Sequence, residues 1–511
     1  MRARERGWST VADPVKRPSI NPLDALRRPA VAGCLNKVNG LSNWQFTAGS
    51  AVLGLALAAG AVLAAGPWDS GQRKAEQQWA AARDRTGGAH HEPAAPAAPA
   101  PAPSAPAVLA ALGTGVDETA PDAPDTPDGA TAALRATLDE LLGSSALGTV
   151  RTAVVVDTVT GKRLYGKGAD TAMTPASTVK IATAVAALSA LGPDHRIATT
   201  VQASPDSRTL TLVGGGDPTL DKAALRELAA DSVRALRDRG VDTVRLRYDT
   251  SRYSGPALHP IGPNENIAPV SALMLDEARL DRTDSGPAPR SADPAGDAAR
   301  TFAGLLNDAG IRTESDHVPG RAAGTSRPVA KHLSAPLSAL VERALTNSDN
   351  DIAEALARQT ALAAGEPADF DGGRRAVTAR LKKLHLPLAG ANFADGSGLN
   401  RKDKVTAGLL AGLLARAAEP GRPELRPVLT GLPIAGFTGT LSDRYTSTSR
   451  GTGLIRAKTG TLTGVNTLAG TVVDAQGRLL AFAFLASGTT SPSEAQSALD
   501  ALATTLAAPT R

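Results

Sequence analysis

The sequence predicts an α+β fold: an antiparallel sheet flanked by helices, with an α/β domain inserted part-way along the chain. Three observations predict it. Strand-like segments gather at the two ends of the foldable region, around 152–165 and 454–485, and neither group has another obvious partner. Helical stripes lie beside both groups. Between them, residues 195–334 carry strands and helices of their own.

Foldable sequence starts near residue 131. Residues 1–45 hold eight Lys or Arg against three acids and scattered Pro and Gly, the composition of a disordered, basic cytosolic tail. Residues 46–66 are 21 residues without a charge, rich in Ala, Leu, Val and Gly. That length matches the roughly 20 residues a bilayer span requires. The basic flank puts the N-terminus inside and the rest of the chain outside. This predicts a signal-anchor helix in the cell membrane with the folded part extracellular; the alternative is secretion after cleavage near residue 66. Residues 67–130 form a linker in which Pro93, Pro96, Pro99, Pro101, Pro103 and Pro106 alternate mainly with Ala, favouring extended polyproline II.

Leu134, Leu138, Leu141 and Leu142 make the first helical stripe, followed by a hairpin of 152–156 and 163–165. Thr174 and Pro175 resemble an N-cap and first helical residue. Ile181, Val185, Leu188 and Leu191 then recur at helical spacing up to Gly192-Pro193. Within the inserted segment the expected strands are 199–203, 209–213, 243–248 and 273–280, and the expected helices 222–237 and 297–309. Gly214-Gly215-Gly216-Asp217-Pro218 matches no phosphate-loop spacing and is read as a tight turn. Leu337, Val341 and Leu345 predict a helix that ends at Asn347-Ser348-Asp349-Asn350, with a new helix from Asp351. Strands 454–457, 468–473 and 479–485 follow. Ser491 and Glu494 then form a capping box for a C-terminal helix.

Composition excludes several functions. The net charge of +5 is spread over 55 basic and 50 acidic residues, with no basic stripe interleaved with aromatics, so no nucleic-acid partner is expected. Cys34 is the sole cysteine and permits no intrachain disulfide. The seven histidines lack metal-ligand spacing, so neither a metal nor another cofactor is expected.

Chemistry enters at Ser177 and Lys180. Residues three apart share a helix face, which lets the lysine amine reach the serine hydroxyl and activate it. Alone, a Ser-x-x-Lys pair usually marks a solvated polar face. Two later segments change that reading: Ser348-Asp349-Asn350 on a loop, and Lys458-Thr459-Gly460-Thr461 on a strand, where Gly460 permits close approach of a substrate backbone. Their order and context match the motif set of penicillin-binding proteins and class A β-lactamases.

With Gly214–Pro218, Asp395-Gly396-Ser397-Gly398-Leu399 and Leu468-Ala469-Gly470, residues 131–507 resemble the D-alanyl-D-alanine carboxypeptidase/endopeptidase family, the class C low-molecular-mass penicillin-binding proteins. The resemblance implies a transpeptidase-like catalytic domain of residues 131–194 and 335–511 around an inserted domain of 195–334. It further implies Ser177 as nucleophile, Lys180 as base, Ser348 as proton relay to the leaving amine, and Asn350 as a hydrogen-bond partner of the substrate amide. Lys458 and Thr459 would receive the substrate carboxylate, and the backbone N–H groups of Ser177 and Thr461 would form the oxyanion hole. A second ammonium at Lys458 should disfavour protonation of Lys180. The implied substrates are peptidoglycan stem peptides, and the implied inhibitors β-lactams. A β-lactamase and a cell-wall scaffold with a vestigial site are the alternatives. The insertion is shorter than the family's usual one, and Asn400 stands where a serine is common.

Overall fold

The structure, a computed structural model, describes residues 129–314 and 317–507. The basic tail, the apolar segment 46–66 and the linker up to residue 128 lie outside the described residues. Among the described residues no helix is long and apolar enough to cross a membrane.

Strands β1 (Val150–Asp157) and β2 (Arg163–Lys167) are joined in one antiparallel sheet to the chain's last three strands, β9 (Ile455–Leu462), β10 (Val465–Val473) and β11 (Leu479–Ser487). The order is β2-β1-β11-β10-β9. The two ends of the folded region meet at β1 and β11, in register from Val150 opposite Ser487 to Asp157 opposite Leu480. Both faces of the sheet are covered, and the period of two shows in which cluster each apolar residue joins. Along β11, Ala481, Ala483 and Leu485 face one core, and Leu480, Phe482, Phe484 and Ala486 face the other.

The second core is closed by the terminal helices α1 (Gly129–Leu142) and α9 (Pro492–Ala507), through Leu138, Leu142, Leu499, Leu502 and Leu506. Helix α1 begins inside the stretch expected to be linker. Ser491 Oγ accepts the Glu494 N–H at 3.4 Å, as the capping box predicts.

The other face carries α2 (Lys180–Leu191), α5 (Leu337–Thr346), α6 (Asn350–Ala363), α7 (Phe370–Lys383) and α8 (Ala407–Ala418). Residues 180–188 of α2 are all buried, so this helix runs through the core with no solvent face.

Residues 198–333 build the second sheet, with order β6-β5-β4-β3-β8. Its strands are β3 (Ala198–Ala203), β4 (Thr209–Val213), β5 (Thr243–Asp249), β6 (Arg312–Thr313), β7 (Val318–Pro319), which also pairs with β5, and β8 (Arg327–Leu333). Strands β4 and β5 are parallel and joined through α3 (Lys222–Arg237), since parallel neighbours need a crossover. Helix α4 (Pro294–Asp308) packs with α3 on a third core, that of this second sheet, and starts earlier than the apolar periodicity suggests, because Asp293 caps it and Pro294 takes the first turn.

The expected strand 273–280 is absent. Leu273 makes an isolated bridge to Asp217, and the chain then turns through Asp276, Glu277 and Ala278, all with positive φ. Its apolar run is buried as loop, which periodicity cannot separate from a buried strand. The glycine turn is packed backbone to backbone: a Cβ on Gly215 would lie 2.0 Å from the Ala198 carbonyl oxygen.

Phe484 is fully buried and stacks on Phe482 with ring centroids 5.1 Å apart. Phe484→Ala is expected to cost about 3–5 kcal/mol of stability, read from denaturant unfolding.

Candidate active site

Ser177 does not sit in the first turn of the α-helix. It lies on a 3₁₀ turn, Ala176–Val179, that runs directly into α2 at Lys180. Pro175, with φ −82 and ψ −17, takes the cap position without any side-chain cap bond. Thr174 instead turns to the 401–404 loop, its hydroxyl accepting from Lys404 Nζ at 2.8 Å. Ala176 has φ +49, a costly value for a residue with a Cβ. Two glycines press on this turn and hold it there. A Cβ on Gly398 would be 2.0 Å from the Ala176 carbonyl oxygen, and one on Gly460 would be 2.7 Å from that of Pro175. The missing side chain of Gly460 therefore makes room for the serine's own turn.

Lys180 is almost fully buried, and its Nζ has three partners: Ser177 Oγ at 3.0 Å, Asn350 Oδ1 at 2.7 Å and the Ser397 carbonyl oxygen at 2.6 Å. The last two can only accept. A neutral amine has two N–H bonds and one lone pair, so donating to Asn350 and Ser397 leaves the lone pair facing the Ser177 hydroxyl. Burial lowers the Lys180 pKa to about 8, opposed by Asp395, Asp349, Glu354 and Asp403. Desolvation leads this shift, and Lys458, whose charge is expected to contribute, is not among its causes.

Ser348 occupies the loop between α5 and α6 at φ +58, a second strained position. Asn350 is already the first residue of α6, because Asp349 caps that helix by accepting the Ile352 N–H at 3.0 Å. Asn350 Nδ2 donates to the Asn266 carbonyl of the inserted segment at 2.9 Å, which fixes its oxygen toward Lys180.

Ser177, Ser348, Thr459 and Thr461 line one cleft of about 290 Å³, together with Thr440, Arg444 and Gln496. An adjoining cavity of about 270 Å³ shares Ser177, Ser348 and Thr461 and reaches Asn350, Leu399, Arg279 and Arg290. Lys458 is not among the lining residues. It is fully buried, donates to the Thr459 carbonyl at 2.8 Å, and is held well below the usual lysine range by burial, Lys180 and Arg444. The cation at the wall of the first cleft is Arg444, whose guanidinium grips Asp500 at 2.7 and 3.1 Å. Thr459 Oγ1 donates to Thr440 Oγ1 at 2.8 Å.

Arg444, Thr440 and Gln496 carry no spacing signal, and only folding places them at the cleft. The same holds for Glu354, Asp403 and His259, which converge behind Lys180 with Asp395 of the 395–399 segment. His259 Nε2 lies 2.9 Å from Asp395 Oδ2, and Glu354 completes a buried trio whose atoms are close enough to hold a metal ion. Backbone N–H groups donate to both carboxylates: those of Gly396 and Ser397 to Glu354 Oε1, and those of Gly398 and Asn400 to Asp395. On the inserted side, buried Glu277 pairs with Arg279 and Arg343, and Arg290 pairs with Asp351.

The family model for D-Ala-D-Ala carboxypeptidase 3 (S13) matches residues 134–289 and 281–508. A carboxypeptidase of Mycobacterium tuberculosis is 38% identical over 370 residues, covering 69% of this chain and 79% of that protein. The carboxypeptidase DacB of Mycolicibacterium smegmatis is 39% identical over 395 residues, covering 73% and 83%. The solved structure of penicillin binding protein 4 from Haemophilus influenzae shares the fold, with a TM-score of 0.61 at 23% identity over 72% of this chain and 98% of that one. The chain belongs to the D-Ala-D-Ala carboxypeptidase 3 (S13) family.

Proposed function

We propose that this serine-type D-Ala-D-Ala carboxypeptidase acts through an acyl-enzyme on Ser177, with Lys180 as the base, at the ends of peptidoglycan stem peptides. The observation that carries the reading is the Lys180 amine, held between two carbonyl acceptors and the Ser177 hydroxyl. Lys180 takes the hydroxyl proton as Ser177 Oγ attacks the carbonyl carbon of the penultimate D-Ala. The N–H groups of Ser177 and Thr461 receive the oxyanion; such donors typically contribute about 10²–10³ each in rate. Ser348 passes the proton to the departing D-Ala amine, and water then releases the acyl group. Asn350 orients Lys180 and the substrate amide. The terminal carboxylate lies against Thr459 and the Arg444 guanidinium, with Lys458 beneath the strand and Gly460 keeping that strand close to Ser177.

Penicillins acylate the same serine, and cross-link cleavage is a second use of the same cleft. A structure of the Haemophilus influenzae protein in complex with a β-lactam supports this reading. Residues 46–66 anchor the enzyme to the cell membrane, with its catalytic domain outside. An ordered lysine beside the serine favours an enzyme over a vestigial scaffold.

Labelled penicillin is expected to mark the full-length protein in the membrane fraction, and Ser177→Ala is expected to remove the label without changing the unfolding temperature. Persistent label on Ser177→Ala overturns the nucleophile assignment, rapid penicillin turnover favours a β-lactamase, and a label only in the soluble fraction overturns the anchor. The base must be neutral, and burial places Lys180 near a pKa of about 8. Acylation is therefore expected to be slow below that pH and to rise through it to a plateau, as stopped-flow acylation rates across pH would measure. Arg444→Ala is expected to lower kcat/KM for a D-Ala-D-Ala peptide by about tenfold or more, the scale of a charged hydrogen bond. The same peptide with a C-terminal amide should lose no such factor.

A further inference from the structure

A fully buried glutamate stands behind the base. Glu354 lies on α6, one turn after Asn350, and is 1% exposed. Its Oε1 accepts two consecutive backbone N–H groups, Gly396 at 3.0 Å and Ser397 at 2.9 Å. The carbonyl of that same Ser397 is the closest partner of Lys180 Nζ, at 2.6 Å. The loop can approach α6 this closely only without a side chain at 396, where a Cβ would come within 2.6 Å of the Ala353 carbonyl oxygen. Asp395 and Asp403 tie down the rest of the loop. Asp395 accepts from Gly398 at 2.6 Å and Asn400 at 2.7 Å, and Asp403 accepts from Ala394 at 2.6 Å.

We infer that Glu354 is a positioning residue for the acylation step: by gripping the Gly396 and Ser397 N–H groups, its carboxylate seats Ser397 from one side while Asp395 holds the following peptide from the other, so that the Ser397 carbonyl meets Lys180 and the amine's lone pair points at Ser177. Lys180 needs two fixed acceptors to leave a single direction for its lone pair. Asn350 Oδ1 is one, and it sits at the start of the helix that carries Glu354. The Ser397 carbonyl is the other; its own peptide is held at the Gly398 N–H by Asp395, and the two peptides before it are held at the Gly396 and Ser397 N–H groups by Glu354. Helix α6 thus sets one acceptor directly and, through Glu354, seats the residue that carries the other. The negative charge has a second effect. Lys180 is faced by Asp349 and Glu354 from α6, by Asp395 and Asp403 from the loop, and by Lys458 from β9. Glu354 is itself faced by Asp395 on the loop, by His259 from the inserted segment and by Arg358 on its own helix. Burial raises the Glu354 pKa to about 7, still below that of Lys180, so its carboxylate is charged where Lys180 titrates and stabilises the ammonium form; losing that charge while keeping the oxygen makes the lysine easier to deprotonate.

The inference rests on Lys180 being the base, and the test separates the two. Acylation of the full-length enzyme by labelled penicillin is followed across pH for the wild type and two variants. Glu354→Gln keeps an acceptor oxygen and removes the charge. Its acid limb is expected to move to lower pH by about half a unit, with the plateau within about threefold of wild type. Glu354→Asp keeps the charge but withdraws the oxygen by one methylene. Its limb should stay in place while its plateau falls about ten- to hundred-fold, the cost of a misplacement near 1 Å. Either variant that folds decides the matter: a Gln variant with its limb in the wild-type position, or an Asp variant with the wild-type plateau, overturns the inference. A wild-type enzyme without a limb overturns the Lys180 reading itself, and this one with it.

Discussion

The site depends on one constraint, the removal of the Lys180 amine from water. A lysine in solvent is an ammonium at neutral pH and has no lone pair to offer a serine. Here α2 runs through the centre of the larger core, so its first residue is carried inside with the rest. Desolvation then disfavours the charge. A bare buried amine would be costly, and the structure offsets this by giving Nζ two carbonyl acceptors as well as the serine. Four carboxylates nearby limit how far the proton affinity falls. The apolar helix that stabilises the domain and the chemistry at its start are consequences of the same burial.

Around this lysine the chain brings distant segments into backbone contact. The Ser177 turn, the 395–400 loop and β9 meet where Gly398 and Gly460 leave no space for a Cβ. The cost of that closeness is visible at Ala176 and Ser348, both held at positive φ beside the cleft. Such positions persist only where the surroundings fix them. Here the surroundings include the five-stranded sheet, whose β9 is registered on β10, and Thr467 of β10, which donates to the Pro175 carbonyl at 2.8 Å. The inserted segment also takes part: Asn266 holds Asn350, His259 meets Asp395, and Glu277 reaches Arg343. Its place in the fold is that of a wall to the cleft.

Much of this was legible from residue order. Periodicity located the hairpin, the last three strands, the buried α2 and the C-terminal helix, because each places apolar residues at a regular repeat that survives in one dimension. The three motif segments announced Ser177, Lys180, Ser348, Asn350 and Thr459 through Thr461, since helix and strand spacing already fix which of these share a face. The short loop at 273–280 defeated the same reasoning, because an apolar run that is buried without being a strand leaves no different trace.

The sequence by itself determined the class of fold, the ends that pair, and the serine and lysine whose separation of one helical turn makes them neighbours. Only the tertiary structure decided which cation faces the cleft. Lys458 and Arg444 are indistinguishable as charges along the chain, yet one is buried under the strand and the other lines the wall. The same is true of the acceptors around Lys180. The carbonyl of Ser397, and Glu354 behind it, act through their positions, and position across long sequence separations is set by packing rather than by any local pattern.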